Sequence, residues 1–179
     1  MDGITLRDGV FSLHTRRFGS VAEVMIRRLI HCGRARNLFH DLYDDAAQLR
    51  IEVKFSRVQK AAETRISEET VLRCIEESTS AHRLVALTEW DQHRFDCNIQ
   101  QIKRREFDVL YYGLFFSDCV TIFRINSGDI GRRINYSDKQ HKGNVGEGQF
   151  HINHDTLRVH LDNYLYRTLT YDQLLELLC

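Results

Sequence analysis

The chain has 179 residues and a formal net charge of zero, with 25 basic and 25 acidic side chains. This length is typical of one domain with a full hydrophobic core, and the balanced charge excludes a protein that coats DNA regardless of sequence. No apolar run reaches the length of about 20 residues that spans a bilayer, and the amino terminus has no signal-peptide pattern, so we expect a soluble, cytoplasmic protein.

Charged residues and cysteines are unevenly distributed. Residues 1–60 carry 11 Lys and Arg against 7 Asp and Glu, whereas residues 61–130 carry 8 against 12. We therefore expect the first third of the chain to supply the positive potential that a nucleic-acid cleft requires. The five cysteines are widely spaced and lack C-x-x-C pairs, which predicts reduced thiols and no zinc site.

The first predicted element is an amphipathic helix over residues 19–31. Val24 and Met25 lie on its apolar face, and charged side chains occupy the opposite face. Ser20 and Glu23 have the spacing of a capping box, which predicts the helix start and explains Glu23 without any catalytic role.

The second predicted element is a β-hairpin that begins at Asp41 and ends beyond Lys54. Alternate side chains of a strand share a face, so Glu52 and Lys54 are predicted side by side while Ile51 and Val53 point into the core. A turn over residues 44–48 would place Asp41 opposite Glu52, close enough for both carboxylates to share one cation.

Three aspartates compete for the first acidic position of this hairpin. Asp44 and Asp45 have the residue type favoured in turns, so Asp41 is the preferred candidate and the other two remain alternatives. Oxygen ligands of this kind favour Mg²⁺ over zinc.

The hairpin resembles the PD-(D/E)XK nucleases, the superfamily of most type II restriction endonucleases. Its signature is an acid, a spacer and then acid-x-lysine on a strand, matched here by Asp41, Glu52 and Lys54. The chain contains no proline, so the first letter of the family label has no counterpart. The resemblance implies a restriction-endonuclease-like α/β (α+β) fold, a mixed central β-sheet flanked by helices, with residues 1–179 forming one PD-(D/E)XK nuclease-like domain.

The resemblance also implies roles for individual residues. Asp41, Glu52 and the Val53 carbonyl would hold Mg²⁺, and Lys54 would position or deprotonate the attacking water. These enzymes commonly carry a glutamate on the preceding helix that faces the metal; Glu23 matches it and is either catalytic or only a helix cap. The implied partners are double-stranded DNA, a second copy of the chain in a homodimer, and a cognate DNA methyltransferase encoded nearby.

The middle of the chain is predicted to contain two helices and two strands. Residues 67–80 and 91–103 have helical character, residues 107–116 are nearly continuous in apolar side chains, and residues 119–125 form the next strand. Asp108 lies on the apolar strand, where we expect a hydrogen-bonded structural role.

Residues 126–150 are rich in glycine and polar side chains and are predicted to be irregular. Long loops of this kind often carry function, and basic, amide and imidazole groups suit phosphates and base edges. A solvated connection explains the same composition. The residues that we expect to contact DNA are Ser56, Arg57, Lys139, His141, Lys142, Asn144, Gln149 and His151.

The carboxyl end is predicted to contain two packing helices. Asp155 is a candidate cap for the first, and Thr170 with Gln173 has capping-box spacing for the second.

Taken together, the sequence predicts a Mg²⁺-dependent, sequence-specific DNA endonuclease similar to small type II restriction enzymes, leaving 5′-phosphate and 3′-hydroxyl ends. Two alternatives remain open: a structure-specific repair or recombination nuclease with the same fold, and a non-catalytic binding or assembly protein.

Overall fold

A six-stranded mixed sheet forms the centre of the structure, a computed structural model that describes residues 1–62, 64–139 and 145–179. In spatial order its strands are β1 (Gly33–Arg34), β2 (Leu42–Asp44), β3 (Leu49–Arg57), β5 (Val109–Phe115), β6 (Cys119–Asn126) and β9 (Leu165–Thr170). Strands β3 and β5 are parallel, and the other neighbouring pairs are antiparallel. All seven residues of β5 are buried, which confirms the predicted central strand.

A second, three-stranded antiparallel sheet contains β4 (Asp96–Ile102), β8 (Val145–Asn153) and β7 (Ser137–Lys139), in that order. The prediction of a helix over 91–103 is wrong: Cys97 and Ile99 are buried and alternate with exposed or half-buried neighbours, which is the period of a strand. The prediction that residues 126–150 are irregular is wrong for the end of that range, because β8 begins at Val145.

Besides three short 3₁₀ helices at Leu87–Gln92, Ser127–Asp129 and Arg132–Ile134, the described part of the chain has six α-helices. They are α1 (Gly3–Ser12), α2 (Thr15–Leu29), α3 (Val71–Glu77), α4 (Ser80–Arg83), α5 (Leu157–Tyr164) and α6 (Tyr171–Leu178). Helices α1, α2 and α6 pack on one face of the six-stranded sheet, whereas α5 and the small sheet cover the other. The mixed sheet flanked by helices is thereby confirmed. None of the helices in the described ranges is long and apolar enough to cross a membrane.

Of the three predicted helix caps, two are wrong. Helix α2 begins at Thr15 after His14, so Ser20 lies inside the helix and its hydroxyl donates to the Arg16 carbonyl. The predicted capping box of Ser20 and Glu23 is therefore wrong. Asp155 is not the cap of α5, whose cap position is Thr156, whereas the Thr170–Gln173 capping box of α6 is confirmed.

The segment predicted as one helix over 67–80 is divided into α3 and α4. Leu72 and Ile75 are exposed, so this segment does not bury the apolar face that its sequence pattern predicts.

Candidate active site

The β2–β3 hairpin places Asp41 and Glu52 across from each other. The pairing of Leu42 with Ile51, continued by one residue, sets Asp41 opposite Glu52, and the Asp41 amide donates to the Ile51 carbonyl at 3.1 Å. Asp44 has a different task, since its Oδ1 accepts hydrogen bonds from the amides of Ala46 and Ala47, each at 3.0 Å. The hairpin therefore uses Asp44 to form its turn and leaves Asp41 beside Glu52.

Three charged side chains meet at this point of the sheet. Asp41 Oδ2 accepts a hydrogen bond from the Val53 amide at 2.9 Å and lies 3.8 Å from Lys54 Nζ. The same ammonium contacts Glu52 Oε1. The Glu52 side chain is only 11% exposed, so this contact is made largely out of water. Lys54 is thus the shared counter-charge of the two carboxylates.

The protonation equilibria of this cluster are shifted. Burial, reinforced by the charge of Asp41 and opposed by Lys54, raises the pKa of Glu52 to about 7. Burial would lower the pKa of Lys54, but the carboxylates of Glu52 and Asp41 outweigh it and raise that pKa overall. At neutral pH, Lys54 is therefore a cation while Glu52 exchanges its proton readily.

Glu23 lies on helix α2, which packs against β3 on the face that carries Ile51 and Val53. Burial raises the pKa of Glu23, the charge of Asp41 raises it further, and Lys54 and Arg34 lower it. The structure removes the helix cap, because α2 begins at Thr15, and the catalytic role of Glu23 stays a prediction.

A cavity of about 270 Å³ opens over the cluster, and besides Asp41, Glu52 and Lys54 it is lined by residues that no local pattern indicated. Lys103 lies 3.8 Å from Glu106 and 3.6 Å from Glu147, which adds a second lysine and two more carboxylates. His40, 8% exposed, and Gln101, which adopts a positive φ of 60°, complete this group. His40 immediately precedes Asp41, whereas Gln101, Lys103, Glu106 and Glu147 come from β4, β8 and the loop after β4, so only the tertiary fold brings these four to the hairpin.

The donor chemistry of the site suits a hard divalent cation. Within residues 1–62, 64–139 and 145–179, no three side chains of His, Cys, Asp or Glu form a preformed metal site. Asp41 and Glu52 supply carboxylate oxygens, and the Val53 carbonyl projects to the Asp41 side of β3 because the N–H and C=O of one strand residue point the same way. Burial is the main cause of the raised pKa of Glu52, and a cation bound beside this carboxylate would favour its ionised form.

Two predicted DNA-contacting residues follow Lys54 on β3. The Arg57 guanidinium donates to the carbonyls of Phe11 at 2.6 Å and Leu13 at 2.8 Å, and it stacks on the ring of Phe18. The Arg57 guanidinium therefore binds the carboxyl end of α1, and its contact with DNA stays a prediction. Ser56 is half-buried on the face of β3 that carries Lys54, next to the thiol of Cys97.

The remaining predicted DNA contacts concern the small sheet and the segment before it. His151 Nδ1 lies 2.9 Å from the Asp96 carboxylate, and Gln149 Oε1 accepts from Asn98 Nδ2 at 3.1 Å. Because Asn98 pairs with His151 and Gln100 with Gln149, these polar side chains share the sheet face opposite the core. Lys139 is exposed at the end of β7, whereas His141, Lys142 and Asn144 lie outside the described residues.

Comparison with known proteins identifies no relative of this chain. No protein-family model, no curated protein and no solved structure matches the chain.

Proposed function

We propose that this protein is a Mg²⁺-dependent DNA endonuclease that cleaves double-stranded DNA in the manner of small type II restriction enzymes. The observation that carries the proposal is the convergence of Asp41, Glu52 and Lys54 at one cavity. A surface strand with solvated charges would leave its carboxylates near their ordinary pKa, and Glu52 departs from that expectation.

The reaction requires a water oxygen to attack phosphorus while the bond from phosphorus to the 3′ oxygen breaks. The leaving oxygen takes up a proton, so the products are a 5′-phosphate and a 3′-hydroxyl. Asp41, Glu52 and the Val53 carbonyl would hold Mg²⁺, which when bound stabilises negative charge on the phosphate oxygens.

Lys54 has two tasks in this proposal. Without substrate its ammonium neutralises Asp41 and Glu52. When the cation takes over that neutralisation, the ammonium can turn to the scissile phosphate and orient the attacking water. Glu52, whose pKa is about 7, would lose its proton when a cation binds, and Glu23 on α2 would be a further acidic group of the site.

Sequence preference would come from the exposed face of the small sheet. The side chains of Gln149, His151 and Asn98 combine donors and acceptors on a rigid surface, and such groups read base edges. One site cuts one strand, so cleavage of both strands at a palindrome requires two copies of the chain, and we propose a homodimer on DNA.

The test is a digest of unmethylated phage or plasmid DNA with Mg²⁺, with EDTA and with the Lys54→Ala protein. Discrete fragments that disappear in EDTA and in Lys54→Ala would support the proposal. A matched control is Lys60→Ala, which removes a lysine that lies outside the cavity and should leave the fragments unchanged. Intact DNA on several sequences and on structured substrates would refute nuclease activity and favour the non-catalytic binding protein.

A further inference from the structure

The residues immediately before Asp41 form a second hairpin that ends at the cavity. Strand β1 pairs with β2, and the Ala35 amide donates to the Asp41 carbonyl at 3.2 Å, so the loop between them has a closed base. Within the loop, Asn37 Oδ1 accepts from the Phe39 amide at 3.0 Å, and His40 is buried at its end. The tip of this hairpin is therefore held on a defined stem, directly joined to Asp41.

The tip carries two neighbouring apolar side chains that nothing covers within the described residues. Leu38 is fully exposed and Phe39 is 63% exposed, and neither belongs to either hydrophobic core. Both line the same cavity as Glu52 and Lys54. Isolated exposed apolar residues are ordinary, but an adjacent pair at the rim of a charged cavity indicates a binding surface.

The charges around the tip indicate what it binds. Arg34 and Arg36 are exposed on either side of Ala35, and the charge of Arg34 reaches Glu23 at the site. Basic side chains contact phosphates, and a phenyl ring or a leucine side chain contacts the faces of bases. A second copy of the chain fits less well, because a two-residue tip is too small for the 1,200 Å² or more, roughly, that a stable protein interface buries.

We propose that Leu38 and Phe39 insert between or against bases that unstack beside the scissile phosphate when the duplex binds, so that a duplex with a base already unstacked at that point binds more tightly. This inference rests on the proposed function and names the form of DNA that the site takes. Arg34 and Arg36 hold the flanking phosphates while the tip contacts base faces, and Asp41 at the end of the same hairpin brings the acidic site to the opened step.

The test compares affinities for two probes by fluorescence anisotropy: a fully paired duplex, and the same duplex with one bulged base, both in EDTA so that neither is cut. The wild-type protein should bind the bulged duplex about tenfold more tightly, since stacking of a base on an aromatic side chain has an effect of this order. The double variant Leu38→Ser with Phe39→Ser should lose that preference to within about twofold. Leu72→Ser, on α3 and 79% exposed, is the matched control and should keep it.

The outcomes separate this inference from the proposed function. If the wild-type protein cleaves DNA and the double variant retains the tenfold preference, the tip has no base contact and only the inference fails. Equal loss of affinity for both duplexes would also overturn it, because it would show a general contact. A change in oligomeric state by light scattering, with the preference retained, would assign the tip to a second copy. If the wild-type protein neither binds nor cleaves any DNA, the proposed function itself fails.

Discussion

Strand β3 carries two ion pairs of similar composition, Arg50–Asp108 at its amino end and Glu52–Lys54 at its centre. At the amino end the Asp108 carboxylate accepts from Arg50 Nη2 at 2.7 Å, from Nε at 3.0 Å and from the Arg50 amide at 2.9 Å. Hydrogen bonding by Arg50 lowers the pKa of Asp108, despite some burial. The charged form of Asp108 is therefore more favourable in the fold than in water.

The pair at the centre of β3 behaves in the opposite way. Glu52 is more deeply buried and has one cation shared with Asp41, and its pKa rises to about 7. Ionisation of Asp108 therefore stabilises the fold, whereas ionisation of Glu52 destabilises it, although Arg50 and Glu52 are almost adjacent on β3. The difference indicates that Arg50–Asp108 holds β3 to β5, whereas Glu52–Lys54 retains unfavourable charge that binding of a cation would relieve.

The two pairs should differ most in how a substitution in each changes the rate of DNA cleavage. In the proposed nuclease, Glu52→Gln should slow cleavage by about 100- to 1000-fold, because it removes a carboxylate that would hold the cation. Asp108→Asn, at the other pair, should change the rate by less than about threefold, because the site keeps its groups. The measurement is the initial rate of plasmid linearisation in Mg²⁺, and equal rates for the two variants would remove Glu52 from the site.

The second largest effect should be on the free energy of unfolding. Whether a variant raises or lowers this free energy distinguishes a functional charge from a structural one. The folded protein holds the Glu52 proton more tightly than the unfolded chain, so the free energy of unfolding should fall as pH rises from about 4.5 to about 7. Glu52→Gln removes this decline and should be more stable than wild type by up to about 3 kcal/mol at pH 8, with no gain near pH 4.5. Urea unfolding at both pH values measures the difference in stability between Glu52→Gln and wild type. A variant less stable than wild type at pH 8 would show that the charge of Glu52 is not unfavourable in the fold.

Mg²⁺ should stabilise the fold by a smaller amount, because it would relieve the same unfavourable charge of Glu52. At a concentration ten times its Kd, Mg²⁺ should stabilise the fold by about 1.4 kcal/mol. Its affinity should weaken below pH 7, because the proton on Glu52 competes with the cation. Thermal unfolding at pH 6 and pH 8 tests both statements, with Asp108→Asn expected to respond as wild type and Glu52→Gln to respond weakly. A shift of the same size in all three proteins would place the cation elsewhere.

The smallest expected effect is that of the structural pair on stability. Asp108→Asn should cost about 1 kcal/mol at pH 7, a modest value because the pair is partly exposed and screened by solvent. The lowered pKa of Asp108 means that its contribution is present at pH values above about 3.8 and is lost as pH falls through the lowered value. The stability difference between wild type and variant, measured by urea unfolding from pH 7 to pH 3, should therefore disappear at low pH, opposite in sense to Glu52→Gln.

Local pattern predicted those elements whose environment is uniform along the chain. The run at β5 is buried on both faces and has nearly continuous apolar side chains, and the β2–β3 turn uses an aspartate whose hydrogen bonds are local. The prediction failed for β4 because the spacing of its apolar residues was taken as helical. It failed for β9, which was not predicted, because this strand forms by pairing with β6, far away in the sequence.

The sequence by itself determined that Asp41, Glu52 and Lys54 share one hairpin, because strand alternation and turn length act between near neighbours. Only the tertiary structure decided that helix α2 packs against β3, that Arg57 binds the end of α1, and that Lys103, Glu106 and Glu147 line the cavity. It also decided the pKa of Glu52, because burial depends on every element packed around the strand and a local pattern contains no information about that packing.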